Sequence, residues 1–239
     1  MIYCDIHTHQ PPVHTEDIAV ISVDLLNSPF PPGFLPERKN GEQQHRDLQS
    51  APAPEDTMPT RKIYFAVGIH PWQPDIHLMN KVREYAAMPS VAAIGETGLD
   101  KITAKEENNF RLQQELFAAH VRLAEELGKP LIIHCVKAWD ELLHVRKSIR
   151  PTVPWVIHGF RGNDVLAERL INAGLYLSFG ADINPTALKT VWGKRRLFAE
   201  TDNKNIHIRD IYKRIAENLN ITDENLSEAI ETSFRRLIH

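Results

Sequence analysis

The chain has 239 residues, with 28 basic side chains, 31 acidic ones and 12 His, for a formal charge of −3. Its 42% hydrophobic and 25% charged residues match a globular protein, which excludes a disordered or fibrous chain. The near-neutral balance also excludes a general binder of duplex DNA, while leaving room for an enzyme that meets phosphate with a few local cations.

Taken in chain order, the first apolar runs are Ile2–His7 and Ile18–Val23. Nine of the sixteen prolines fall between Pro11 and Pro59, and Asn27–Thr60 is polar without helical or alternating periodicity. That stretch reads as a long, Pro-rich exposed loop at about residues 27–60. Ile63–Ile69 and Val91–Glu96 follow. Phe110, Phe117, Val121 and Ala124 then make one apolar stripe of a helix that should stop at Gly128 and Pro130. Leu131–Cys135, Trp155–Gly159, Leu175–Phe179 and Leu197–Asp202 complete the series, with Asn163 and Thr222 placed as helix N-caps. The runs are too short for helices and rich in Val, Ile and aromatics, so they predict strands.

Eight strands alternating with helices predict an α/β fold, a (β/α)8 TIM-like barrel. A barrel of about 200–250 residues is one domain, so residues 1–239 are read as a single unit. Only eight residues separate His9 from Ile18, fewer than the usual crossover of about a dozen. The barrel is therefore expected to be distorted or incomplete near strand 2.

Two Cys cannot build a disulfide framework, which points to a reducing, cytoplasmic setting. Asp5, His7 and His9 stand where an export signal would need apolar residues. No run approaches the roughly 18 apolar residues that span a membrane.

The ends of the strands carry the chemistry. His7 and His9 end the first, His70 the third, Glu96 the fourth, His134 the fifth, His158 the sixth and Asp202 the eighth. Parallel strands would bring these ends to one face, where barrel enzymes build their sites. His7 and His9, two residues apart, project to the same side. Cys135, next to His134, should face the other way and, like Cys4, read as a small buried hydrophobe. Four of these five His with the two carboxylates suit a pair of divalent cations, with Glu96 as candidate bridge and Mg, Mn or Zn all open.

The segments Asp5-Ile6-His7-Thr8-His9, Gly68-Ile69-His70-Pro71, Ile94-Gly95-Glu96-Thr97-Gly98-Leu99-Asp100, Ile132-Ile133-His134, Ile157-His158-Gly159-Phe160 and Glu200-Thr201-Asp202 occur in a characteristic order. In that order the chain resembles the TatD-type metal-dependent deoxyribonucleases of the metal-dependent hydrolase superfamily, as a short variant. The resemblance implies that His7, His9, Glu96 and Asp202 hold one metal and that Glu96, His134 and His158 hold the other. It also implies phosphodiester hydrolysis, with DNA or another phosphodiester as the partner molecule. Departures fall on the rim. A family helix after the first strand is replaced by Gln10–Asp17 and the Pro-rich loop; Val136 and Lys137 follow Cys135; Asn203 and Lys204 follow Asp202.

Asp202 and Glu96 are the candidate catalytic residues, Asp202 as general base. Asp5 and Glu200 lie two residues before ligands and are candidates to accept the free ring N–H of ligating His, or to pair with a neighbouring Lys or Arg. His70, Lys137 and Arg161 are candidate substrate contacts, with Lys101 in the loop after Glu96 as another cation. Trp72 and Trp139 are candidates to stack on bases or to cover the helical layer. A metal-dependent ester or amide hydrolase, such as an aminoacyl-ester hydrolase, is the alternative reaction. A non-catalytic metal-binding protein that docks through residues 27–60 is the alternative class. A monomer without an obligate protein partner or membrane is expected.

Overall fold

The computed structural model describes residues 1–26 and 62–238, so the predicted 27–60 loop lies outside the described residues. Eight strands form one sheet: β1 (Cys4–Thr8), β2 (Ile18–Asp24), β3 (Ile63–Gly68), β4 (Val91–Asp100), β5 (Leu131–Val136), β6 (Trp155–Ile157), β7 (Tyr176–Phe179) and β8 (Leu197–Ala199). Each pairs in parallel with the next, in chain order. The strands are nearly continuous runs of buried residues, as expected where helices cover one face and barrel side chains fill the other.

Among the described residues there are seven α-helices, α1 (Met79–Ala86), α2 (Glu107–Leu127), α3 (Trp139–Ile149), α4 (Asp164–Asn172), α5 (Pro185–Gly193), α6 (Ile208–Leu219) and α7 (Asp223–Ile238). Phe117, Val121 and Ala124 are buried on α2, and Phe110 packs at the margin of the core. Gly128 ends α2 in the left-handed conformation, at φ 64°, which costs glycine little. The Asn163 side chain accepts the Leu166 N–H at 2.9 Å and opens α4. Thr222 Oγ1 likewise accepts the Asn225 N–H at 3.2 Å ahead of α7. Among the described residues no helix is long and apolar enough to cross a membrane.

The predicted irregularity near strand 2 has a definite form. Residues 9–17 contain no helix, and the β1–β2 register shifts between Asp5 and Thr8. A short strand needs only a short return, and this one is pinned: buried Asp17 receives the Arg209 guanidinium of α6 at 3.0 Å. From β2 onward every neighbouring pair is joined, β2 to β3 over six unshifted residues, and the register shifts again between Phe65 and Ala66 of β3 and between Ile94 and Thr97 of β4. The barrel's one seam is between β8 and β1. It is crossed by a single bridge, Thr8 to Asp202, with the Asp202 N–H donating to the His7 carbonyl at 3.0 Å and the His9 N–H to the Asp202 carbonyl at 3.2 Å.

Candidate metal centre

The strand ends deliver the predicted residues to one cup. His134 lies within β5, whereas His9, His70, His158 and Asp202 fall just past the ends of β1, β3, β6 and β8. Asp202 adopts φ 53°, a left-handed conformation that Asp tolerates better than most residues, as it leaves β8 for the site. Glu96 is the exception to the end-of-strand expectation. Strand β4 runs on to Asp100, so Glu96 sits mid-strand. Two glycines permit this. A Cβ on Gly98 would meet the His134 carbonyl oxygen at 1.9 Å, and one on Gly95 would meet that of Ile132 at 2.4 Å. Only glycine lets β4 approach β5 so closely, and that approach sets Glu96 beside His134.

Glu96 is the hub. Its Oε2 lies 3.3 Å from His7 Nε2 and 3.8 Å from His9 Nε2. Its Oε1 lies 2.7 Å from His158 Nε2, 3.2 Å from His134 Nδ1 and 2.9 Å from His70 Nε2. Asp202 Oδ1 stands 3.6 Å from both His7 Nε2 and His9 Nε2. Three overlapping sets have donor atoms close enough to share an ion: His7, His158 and Asp202; His7, His9 and Glu96; His70, Glu96 and His134. All six expected ligands thus come together, and His70, expected on the substrate side, joins the same carboxylate.

The electrostatics follow from this crowding. Burial by itself disfavours charge on His7, yet Glu96 and Asp202 outweigh it and raise its pKa to about 9. His158 is raised for the same reason, by Glu96 and Glu200 against burial. Burial opposes ionisation of Glu96, but His158 and His7 hold its carboxyl well below the usual range. Burial and the His7 charge lower His9. Both ring nitrogens of His7 and of His158 are buried without an aligned hydrogen bond. Imidazole nitrogens converging on carboxylates without hydrogen-bond alignment fit a divalent cation, for which His and Asp/Glu are suitable donors.

Of the supporting residues, Asp5 and Lys101 differ from expectation, and Glu200 stands near the ring nitrogen of His158. Asp5 accepts no ring N–H. Its Oδ1 takes the backbone N–H of His7 at 3.3 Å and of Thr201 at 3.1 Å, and its Oδ2 takes the Thr201 hydroxyl at 2.6 Å. The carboxylate is turned along the β1 backbone and across the seam, so it orders main chain rather than an imidazole, and among the described residues it pairs with no Lys or Arg. Burial raises its pKa to about 7. Glu200 Oε1 accepts the Gly159 N–H at 2.6 Å and stands 3.6 Å from His158 Nδ1, an ion-pair separation longer than a hydrogen bond. Lys101 turns away to Glu141 at 2.5 Å and does not line the cavity.

Three supporting residues were missed by sequence reasoning. Asp100 accepts the Ile102 N–H at 2.8 Å and the Trp72 indole N–H at 2.8 Å, and lies 3.1 Å from His134 Nε2. Gln113 of α2 accepts the Asp100 N–H and donates to the Pro71 carbonyl, at 2.8 and 2.9 Å. Buried His120 accepts the Ile69 N–H at 3.1 Å and contacts the Leu116 carbonyl through Nδ1 at 2.7 Å. The available signal was polar residues at helical spacing, 113 and 120, inside the apolar stripe of α2.

The cup opens into a cavity of about 900 Å³. Lys137, Arg161 and Lys204 stand on its rim, and Trp72 and Trp139 line its wall. Lys204 was not singled out from the sequence, although its loop was recognised as unusual.

A family model described as TatD related DNase matches residues 49–239, a span that contains Glu96, His134, His158 and Asp202 and begins after His7 and His9. The metal-dependent hydrolase YcfH of Escherichia coli K12 is 30% identical over 198 residues, 74% of either chain. The metal-dependent hydrolase YabD of Bacillus subtilis is 27% identical over 199 residues, 73% of this chain and 77% of the relative. Among solved structures, a TatD family hydrolase of Entamoeba histolytica superposes with a TM-score of 0.73 at 15% identity, over 99% of this chain and 97% of the other. YjjV of Escherichia coli superposes with a TM-score of 0.64 at 21% identity, over 74% and 77% of the two chains. These two likenesses show the barrel alone; the family match and the YcfH identity carry the assignment. The chain belongs to the TatD family of metal-dependent hydrolases.

Proposed function

We propose that this chain is a phosphodiesterase dependent on two divalent cations, Mg, Mn or Zn, that cleaves DNA at ends or in single strands. The observation that carries the reading is the division of the Glu96 carboxylate. One oxygen faces His7 and His9, and the other faces His70, His134 and His158. A single carboxylate with imidazoles on both oxygens is suited to bridge a pair of ions. His7, His9, Glu96 and Asp202 would hold one, and Glu96, His134 and His158 the other. Cations bound there would supply Lewis acidity and an acidified water at neutral pH.

The chain's own groups do the rest. Asp202, kept ionised by His7 against burial, accepts the proton of the attacking water. His70 faces the cavity beside His134, with ring centroids 4.8 Å apart, and is assigned to the substrate. Lys137, Arg161 and Lys204 on the rim offset phosphate charge, which favours a phosphodiester over a neutral carboxylic ester. The family's DNase description supports DNA as the substrate. A cytoplasmic monomer without an obligate protein partner completes the proposal.

The test is hydrolysis by metal-loaded protein of single-stranded DNA, duplex DNA and aminoacyl esters, alongside Asp202→Asn. Cleavage of DNA, reduced by about 10²–10⁴-fold in the variant at unchanged circular dichroism, is expected. Turnover of the aminoacyl ester alone would replace the nuclease reading with an esterase, and near-normal turnover by the variant would remove Asp202 from the chemistry.

A further inference from the structure

Trp72 is an unusual surface residue. It is 59% exposed, yet it lines the cavity beside the cup, with its ring centroid 4.8 Å from that of His70 and 5.8 Å from that of His134. A large aromatic side chain left this open at the mouth of a charged site calls for an explanation beyond packing.

Its anchoring is specific. The indole N–H donates to Asp100 Oδ2 at 2.8 Å, and the Trp72 backbone N–H donates to His70 Nδ1 at 3.2 Å. Asp100 is itself held by the Ile102 and Thr103 N–H groups, at 2.8 and 3.1 Å. Ring and backbone are therefore both tied to groups of the candidate metal centre. The indole's one polar atom is consumed on the inner side, so what it offers the cavity is apolar ring. Leu25, Leu26 and Leu78 also line the cavity, and Leu26 is 51% exposed. Lys137 and Arg161 stand on the same rim. The cavity thus sets a charged cup beside the flat apolar face of the Trp72 ring.

That division matches one nucleotide, with its phosphate on the cup and its base on the ring. Resting on the phosphodiesterase reading, we propose that Trp72 is the stacking platform for an unpaired nucleobase flanking the scissile phosphodiester. Trp139 does not share the role, because its ring meets Phe160 edge-on at 6.3 Å and it is half-buried. Two properties follow. With its N–H occupied, Trp72 recognises a π-face and not a hydrogen-bonding edge, so base identity matters little. A base lying on the indole has left its own stack, so single strands and frayed ends are favoured over closed duplex.

The experiment compares a single-stranded oligonucleotide with one of equal length whose positions carry abasic sugars, in the metal-loaded protein, Trp72→Ala and Trp72→Phe. The parent should prefer the base-bearing strand in kcat/KM. Trp72→Ala should reduce that preference by roughly 5- to 100-fold, mainly through KM, and Trp72→Phe should keep it within about threefold. Oligothymidylate added in chelator should quench the parent's tryptophan emission, and Trp72→Phe should lose that quench. Equal cleavage of both strands by the parent, or an unchanged preference in Trp72→Ala, overturns the platform and leaves the phosphodiesterase standing. Failure of the parent to cleave either strand overturns the phosphodiesterase reading itself, and the platform with it.

Discussion

His120 Nε2 accepts the backbone N–H of Ile69 at 3.1 Å, tying the middle of α2 to the residue immediately before His70. To accept there, the ring must be neutral, with its proton on Nδ1 towards the Leu116 carbonyl. Burial enforces this state by lowering the His120 pKa from 6.5 to about 4. Between those values the unfolded chain binds a proton that the folded chain refuses, so stability rises with pH across the window and is lost as pH falls. The full difference is roughly 3 kcal/mol for a fall in His120 pKa from 6.5 to about 4. Asp5, raised to about 7, titrates in the same window with the opposite sign. The His120 contribution is therefore read as the difference between the parent and His120→Gln, which does not titrate: in denaturant unfolding from pH 7 to pH 4 the parent should lose that much stability relative to the variant. An equally steep decline in the variant would assign the acid sensitivity elsewhere.

Asp5 closes the seam from below. Removing its carboxylate takes the side-chain acceptor from the buried N–H groups of His7 and Thr201 and leaves the Thr201 hydroxyl only its 2.9 Å bond to the Thr8 hydroxyl. Each buried donor left without a partner costs about 1–3 kcal/mol. Asp5→Ala should lower unfolding stability by at least that amount, with the loss located between β1 and β8. Hydrogen exchange at the Thr201 and Asp202 amides would show it as lost protection. Full protection there would mean that the single Thr8–Asp202 bridge suffices without the carboxylate.

Gly98→Ala tests the close approach of β4 to β5. The new methyl group would fall 1.9 Å from the His134 carbonyl oxygen at a residue with φ 149°, where the blocking atom is backbone and cannot swing aside. Backbone strain of this kind costs about 1–3 kcal/mol, before any displacement of the strand. The variant should unfold at lower denaturant and bind divalent ions more weakly, because Glu96 and His134 shift relative to each other. Unaltered stability would contradict the packing described.

How much of this was legible in the chain follows from physics rather than luck. All eight strands showed as short apolar runs, because strands buried on both faces admit few polar residues. The six expected ligands stood out because imidazole and carboxylate at the ends of such runs have no packing role. The position of Glu96 within β4 was not legible. The apolar run ends by pattern at Glu96, between Gly95 and Gly98, yet those glycines are what carry the strand onward against β5. Asp5 was misjudged because parity gives the face of a side chain but not which atom it meets. Asp100, Gln113 and His120 escaped because their partners are backbone groups and rings distant in sequence. The seam between β8 and β1 rests on the last strand returning to the first, a closure that no local pattern encodes.

In the proposed site Glu96 would join two cation sites in one cup. Calorimetric titration of chelator-treated protein with Mn²⁺ or Zn²⁺, backed by elemental analysis, tests it directly through Glu96→Gln. The parent should take up two equivalents per chain. The variant, keeping every imidazole and losing one charge, should retain tight binding of neither. Failure of the parent to bind divalent ions, or a variant equal to it in stoichiometry and affinity, would contradict the account.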